Sequence, residues 1–245
     1  MSSPGRCHLY FTWPPPWLRG PASIAGEWIE LNVSRAELYY PNEAHQPLYE
    51  LAAIRQPHDA LGFVRKFGML RHGPDSNDEP RERFRQWEAE ALRLTEIMRL
   101  YESVRLAHAG DSDRLKELRA LPKVRQRLED IPSATTTEAA SDVVAGLIVA
   151  GLNGVPLMIS PAYTWENSVG RLGDPGEFVV SGKPRNIVEW AYHELMRLVA
   201  ESVPVATCEE CARMFQLNHA NRRFCSDRCG NRARQRRHAQ RKAQA

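Results

Sequence analysis

The chain has 245 residues, of which 42% are hydrophobic and 26% are charged, and its formal net charge is +3. These proportions are ordinary for a soluble globular protein, so they exclude a wholly disordered chain and allow one main domain with a small appendage. Prolines at positions 14–16 interrupt the apolar start of the chain, which argues against a signal peptide, and the longest apolar run, residues 143–152, is too short to cross a membrane. We therefore expect a cytoplasmic protein without a membrane partner.

Charge is divided unevenly along the chain. Residues 208–245 contain ten Arg and Lys against three Asp and Glu, whereas residues 1–207 contain 23 against 27. An acidic body at −4 thus carries a C-terminal segment at +7. This segregation favours binding of a polyanion at one end of the molecule.

The first predicted elements are short. Residues 27–40 mix alternating apolar residues with aromatics, which predicts one or two short strands. Residues 59–70 predict a short helix, and a turn follows at 71–80.

The clearest predicted helix covers residues 80–109, where apolar side chains recur every three or four residues. Asn77 and Asp78 are candidate N-cap residues, and Pro80 suits a first helical turn. Gly110 is expected to end the helix.

Helices and short strands alternate in the rest of the body. A helix is predicted at 113–121, where Pro122 is expected to end it, and another at 138–152 is apolar enough to lie at the centre of the core. Short strands are predicted between residues 156 and 181, and a helix with an apolar stripe follows at 184–202.

Four of the five cysteines lie within 22 residues near the C terminus. They are Cys208, Cys211, Cys225 and Cys229. Two close pairs joined by a loop suit the tetrahedral coordination of Zn²⁺, so the spacing predicts one structural zinc ion. Phe215 and Phe224 are expected to pack against the cysteine turn. The alternatives are coincidental thiols, a redox pair at the first two cysteines, and His219 in place of one cysteine ligand. Cys7 is expected to be an unpaired thiol.

The segment after the last cysteine is rich in arginine and has no acidic residue beyond Asp227. Arginine binds phosphate oxygens two at a time and pairs with the edge of guanine, so we expect this segment to bind DNA, as a helix or as a tail. The candidate nucleic-acid-binding residues are Arg222, Arg223, Arg228, Asn231, Arg232, Arg234, Arg236, Arg237, Arg241 and Lys242. Arg222, Arg223 and Arg228 have a second interpretation, which is to balance the charge of four thiolates. Asn231 either caps a helix or contacts a base edge.

The string Phe-Cys-Ser-Asp-Arg-Cys-Gly-Asn-Arg at residues 224–232 resembles the signature of the CGNR zinc-finger family, whose name matches residues 229–232. The resemblance covers residues 184–243 well. It implies zinc ligation by the four clustered cysteines, an N-terminal ABATE domain described as a stress-induced transcription regulator, and binding to DNA.

The predicted fold class is α+β, with a predominantly helical N-terminal domain that has a few short strands and a small C-terminal four-cysteine zinc finger. We place an ABATE-like sensor or dimerisation domain at 1–203 and the finger with its basic helix or tail at 204–245. The predicted function is a DNA-binding transcription regulator, and the alternative is an RNA-binding or protein-interaction module. A homodimer and a small-molecule effector are further expected partners.

An enzyme is not expected. His193 and Glu194 begin a pattern typical of zinc proteases, but Arg197 stands where the second histidine ligand belongs. A surface pair or a hydrogen-bonded helical pair is the better interpretation of these two residues. The chain also lacks a Gly-rich phosphate loop and a nucleophile elbow.

Overall fold

The molecule is described from a computed structural model. It describes residues 8–11, 17–39, 47–71, 80–152, 157–161, 163–166, 169–172, 178–182, 184–219 and 221–244. The strands in chain order are β1 His8–Phe11, β2 Trp17–Arg19, β3 Ala22–Ala25, β4 Trp28–Leu31, β5 Glu37–Tyr39, β6 Arg81–Arg83, β7 Leu157–Pro161, β8 Tyr163–Glu166, β9 Val169–Leu172, β10 Phe178–Gly182, β11 Val205–Thr207 and β12 Met214–Gln216. The helices are α1 Pro47–Leu51, α2 Pro57–Phe67, α3 Phe84–His108, α4 Ser112–Ala120, α5 Pro122–Asp130, α6 Thr136–Gly151, α7 Ile187–Ala200 and α8 Asp227–Gln244. The predicted α+β class is confirmed.

The strands pair in small sheets. β4 lies between β3 and β6, antiparallel to both, and β2 pairs antiparallel with β5. β10 lies between β1 and β7, parallel to the first and antiparallel to the second, while β8 pairs with β9. The strands predicted at 27–40 and between 156 and 181 are therefore confirmed. The unpredicted β2 and β3 lack a clear alternating pattern.

Helix α3 is the longest element of the body, and its start differs from the prediction. The helix begins at Phe84 rather than at residue 80, because the preceding residues form β6 and pair with β4. The buried Glu82 carboxylate accepts hydrogen bonds from the amides of Leu70, at 3.0 Å, and Arg71, at 2.7 Å, which holds the segment extended. Asn77 and Asp78 lie outside the described residues. Gly110, with a φ of 100°, follows the end of the helix as predicted.

The region after α3 contains one helix more than predicted. The carboxylate of Asp111 caps α4 by accepting from the amides of Asp113 and Arg114, both at 3.1 Å. Pro122 ends this helix as predicted, but it also takes the first position of α5, where its missing amide hydrogen costs nothing.

Helix α6 is only half buried, so its predicted place at the centre of the core is wrong. Ala140, Val144 and Ile148 are buried along one face, whereas Val149 on the other face is 67% exposed. The helix packs against α3, α5 and α7 with that one face. Apolar composition alone did not reveal which residues meet a partner helix.

The core lies where α3 and α7 meet the short helices α1 and α2. Its largest fully buried side chains include Trp17, Trp87, Tyr192 and Phe67. Helix α7 begins after Asn186, whose side chain accepts from the Glu189 amide at 3.0 Å. This cap explains why the helix starts later than the predicted residue 184.

His193 and Glu194 are buried, at 0% and 7% exposure, so a surface location for this pair is wrong. The Glu194 carboxylate accepts a hydrogen bond from the Leu48 amide at 3.1 Å and links α7 to α1. Burial is the main cause that raises its pKa from 4.5 to about 7. The folded protein therefore favours the protonated acid.

We predict that Glu194→Gln changes how stability depends on pH. Because the pKa of Glu194 is higher in the folded than in the unfolded state, this group stabilises the folded protein at a pH below its unfolded pKa of 4.5. This contribution, on the order of 3 kcal/mol, is lost as the pH rises from about 4.5 to about 7. The free energy of unfolding of the variant minus that of wild type should therefore be larger at pH 8 than at pH 5. Urea unfolding at both values measures this difference, with the exposed Glu88→Gln as control. An equal difference at the two pH values would contradict the prediction.

Candidate metal centre and basic helix

The C-terminal segment is built from a hairpin and a helix. β11 and β12 pair antiparallel, with Val205 opposite Gln216 and Thr207 opposite Met214. The turn between them is fixed by two backbone hydrogen bonds, from the Cys208 amide to the Arg213 carbonyl and from the Ala212 amide to the Cys208 carbonyl. This turn carries the first cysteine pair.

The hairpin is seated on the body. Val205 and Met214 are buried in the same core as α3 and α7. The Tyr101 hydroxyl donates to the Val203 carbonyl at 3.1 Å, and the Thr207 hydroxyl donates to Glu102 at 3.2 Å. The main core thus continues past residue 203, the predicted end of the N-terminal domain, because it includes Val205 and Met214.

The four clustered cysteines converge. The sulfur atoms of Cys208, Cys211, Cys225 and Cys229 all lie within 4.8 Å of one another. The Cys211–Cys225 and Cys225–Cys229 sulfur distances are both 3.6 Å, far longer than the roughly 2 Å of a disulfide. Sulfurs bound tetrahedrally about 2.3 Å from one ion stand about 3.8 Å apart, so the arrangement can hold a metal ion.

The predicted fifth candidate ligand is not part of this group. His219 is exposed, and among the residues whose side chains are described only the four cysteines form the cluster. Cys7 lies outside the described residues.

The thiols need a cation to ionise together. Burial opposes ionisation of Cys208, but hydrogen bonds from backbone amides lower its pKa to about 7. Among these bonds, the one from the Cys225 amide, at 3.4 Å, has the largest effect. Burial and then the neighbouring thiols raise the pKa of Cys225 to about 12, and burial also raises the pKa of Cys211. A positive ion at the centre removes this mutual repulsion, because it stabilises each thiolate.

A small aromatic cluster supports the cysteines. Phe215 is buried against Cys208 and Cys229, and Phe224 packs beside them, as predicted. The guanidinium of Arg222 lies 5.3 Å from the centre of the Phe215 ring and donates to the carbonyls of Phe224, at 3.0 Å, and Cys225, at 2.6 Å. Arg222 therefore holds the loop that presents the second cysteine pair.

Two acidic residues between the first cysteines bind arginines of the basic segment. Glu209 pairs with Arg223, with an Nη2–Oε2 distance of 2.6 Å, and Glu210 pairs with Arg236 at the same distance. The second pair joins the metal-binding turn directly to α8. Neither ion pair is predictable from the sequence, because 14 residues separate Glu209 from Arg223 and 26 separate Glu210 from Arg236, and no local pattern marks such contacts.

The basic segment is a helix rather than a tail. α8 runs over 18 residues, and the hydroxyl of Ser226 accepts from the Cys229 amide at 3.4 Å. Asn231 lies inside the helix and is exposed, so its interpretation as a helix cap is wrong. Beyond Ala233 the described side chains of α8 are exposed.

The remaining candidate residues extend along α8. Arg228 and Arg232 are exposed. Neither they nor four of the five cations after them form an ion pair with any residue that the structure describes, the fifth being Arg236. Those four are Arg234, Arg237, Arg241 and Lys242. Only Arg234 and Arg237 show a hydrogen bond, each to the carbonyl four residues earlier, at 3.4 and 3.3 Å.

Comparisons of the chain with family models, with curated proteins and with solved structures found no match. The resemblance to the CGNR zinc fingers therefore stays a prediction. No helix in the described part of the chain is both long and apolar enough to span a bilayer. The function has to be inferred from the cysteine cluster and the helix that it anchors.

We predict that Cys225→Ser abolishes metal binding, because three sulfurs cannot close a tetrahedral site of this kind. The purified wild type should contain about one metal ion per chain, and the variant close to none, by elemental analysis. Cys7→Ser serves as the matched control and should keep its metal. Full metal content in Cys225→Ser would show that this sulfur is not a ligand.

Proposed function

We propose that the protein binds DNA through α8 and regulates transcription, with one structural zinc ion fixing the base of that helix. The observation that carries the proposal is the exposed surface of α8. Seven Arg and Lys follow Asp227 along the helix without another acidic residue, and of these only Arg236 forms an ion pair with a residue that the structure describes.

Zinc is the metal that suits the cluster. Four thiolates are soft ligands, and tetrahedral Zn²⁺ accepts them without an energetic preference for another geometry. The four cysteines would fill every coordination position and leave none for water, which supports a structural role rather than a catalytic one. The ion would join the turn of the hairpin to the first turn of α8.

The contacts divide the candidate arginines into two groups. Arg222, Arg223 and Arg236 are committed to the cysteine loop or to Glu209 and Glu210. Their main role is to hold the finger together. The residues proposed to meet phosphates or bases are Arg228, Asn231, Arg232, Arg234, Arg237, Arg241 and Lys242.

The helical form of the segment favours duplex DNA over RNA. The major groove of B-DNA admits an α-helix, whereas the corresponding groove of A-form RNA is too narrow for side chains to read. Recognition of single-stranded RNA commonly uses stacking of bases on aromatic side chains, and α8 contains no Phe, Tyr or Trp and a single His, His238. Asn231 has the amide group that pairs with adenine, and its exposed position on the helix supports a base contact.

The body is proposed to act as a sensor or dimerisation domain, as the resemblance to ABATE proteins implies. Because the hairpin shares the main core, a change in the packing of α3 would reach the finger directly. A homodimer would place two copies of α8 on one duplex.

We predict that the triple variant Arg234→Ala, Arg237→Ala and Arg241→Ala binds DNA more weakly and with less dependence on salt. Each lost phosphate contact should reduce the slope of log K against log salt by about 0.9. Fluorescence anisotropy with a labelled duplex at several salt concentrations measures the slope. Three exposed arginines of the body, Arg65, Arg85 and Arg119, form the matched control when changed to alanine.

An unchanged slope in the α8 triple variant would refute phosphate contact by these residues. Tighter binding of structured RNA than of duplex DNA would favour the alternative RNA-binding function. A protein that retains its metal but binds neither polymer at low salt would favour a protein-interaction module.

We also predict that the double variant Glu209→Gln and Glu210→Gln binds DNA more tightly. The change removes two negative charges near α8 and releases Arg223 and Arg236 from their ion pairs. An increase of severalfold at low salt is expected, and it should shrink as salt screens the charges. The exposed Asp113→Asn and Glu117→Gln, far along the chain on α4, serve as a control. Weaker binding with intact metal content would contradict the prediction.

A further inference from the structure

A cavity of about 320 Å³ lies between the body and the metal-binding hairpin. Its walls come from residues 53–59 before and at the start of α2, from α3 and from residues 211–213 of the hairpin turn, which include Cys211. Three arginines line it: Arg55, Arg99 and Arg213. The volume is at the small end of the range for ligand sites, which is roughly 300–1,000 Å³.

Arg55 is fixed in place. Its Nη1 atom donates to the carbonyls of Ala52, at 2.8 Å, and Ile54, at 2.7 Å, and its Nη2 atom donates to the Thr95 hydroxyl at 3.4 Å. These bonds hold the guanidinium at one wall before any ligand arrives. A fixed cation loses little conformational entropy when it binds an anion.

The other two arginines are exposed and come from different parts of the molecule. Arg99 lies on α3, and Arg213 lies in the hairpin turn. Neither makes an ion pair with any residue in the described ranges. Burial and then the charges of these two arginines lower the pKa of Arg55, which reflects their closeness.

The cavity contains one carboxylate, and this group is already engaged. Asp59 accepts hydrogen bonds from the backbone amides of Arg55 and Gln56, both at 3.0 Å, as part of the cap of α2. Its other oxygen lies 3.4 Å from Nε2 of His58. Three arginines therefore face one carboxylate and Cys211, whose sulfur belongs to the cysteine cluster. The other lining side chains carry an excess of positive charge within an acidic body.

We propose that this cavity binds a phosphate group and that the bound phosphate links the body to the hairpin. The planar fork of arginine matches phosphate oxygens, and an anion would relieve the repulsion among the three guanidinium groups. Ala53 and Ala212 leave room for an oxyanion between the walls. The phosphate belongs either to a small phosphorylated ligand or to the backbone of a nucleic acid.

Isothermal titration of the full-length, metal-loaded protein with inorganic phosphate and with pyrophosphate tests the proposal. Arg99→Gln and Arg213→Gln should each weaken binding about tenfold or more, as expected for loss of one charge-assisted contact. Arg85→Gln, also exposed and on α3, is the matched control and should bind like wild type. Metal analysis of Arg213→Gln confirms that the neighbouring cysteines are undisturbed.

Anisotropy with duplex DNA separates the two sources of phosphate. If the occupant is a small ligand, phosphate binds without DNA and Arg99→Gln leaves DNA affinity unchanged. If the occupant is the DNA backbone, Arg99→Gln lowers DNA affinity and the salt slope, and phosphate competes with DNA in wild type but not in the variant. The phosphate titration does not depend on α8, so it can succeed even if the protein does not bind DNA.

Two results would overturn the proposal. One is the absence of phosphate and pyrophosphate binding together with normal DNA affinity in Arg99→Gln. The other is phosphate binding that Arg99→Gln and Arg213→Gln leave as strong as in the Arg85→Gln control, since the anion would then be held elsewhere.

Discussion

The convergence of four sulfur atoms is the constraint on which the C-terminal structure depends. Two of the sulfurs come from the hairpin turn, one from the loop before α8 and one from the first turn of α8, so the cluster is where these separate elements meet. The surrounding apolar surface is small, consisting mainly of Phe215 and Phe224. Without a cation the thiols oppose one another's ionisation, and an ion held at the centre would stabilise the thiolates and with them the junction of hairpin and helix.

The hairpin is joined to the body by apolar packing rather than by a flexible linker. Val205 and Met214 are buried in the main core, and Tyr101 of α3 donates to the backbone just before the hairpin. The position of α8 is therefore set by two connections in series, the packing of β11 and β12 on α3 and the cysteine cluster between hairpin and helix. Among the described residues, a structural change in α3 can reach the basic helix through the hairpin, and from there through the cysteine cluster or through the Glu210–Arg236 ion pair.

Local signals in the sequence predicted well what depends on neighbours in the chain. The cysteine spacing indicated the cluster, and Gly110 and Pro122 marked helix ends, because each acts within a few residues. The failures depend on distant partners. The extended segment before Phe84 is held by β4 and by backbone amides near Leu70, and the exposed face of α6 depends on which helices pack nearby. No window of a single sequence contains that information.

The distribution of ion pairs explains why a strongly basic segment can remain ordered as a helix. Glu210 neutralises Arg236 on the side of α8 that faces the hairpin, and Arg222 is turned inward over Phe215. The cations left unpaired among the described residues extend from Arg228 to Lys242 along α8, where they repel one another across exposed turns. Under the proposed function, phosphates bound along α8 would remove this repulsion. The arrangement therefore anchors the first turns of α8, and a polyanion bound as proposed would strengthen the helical order of the distal part.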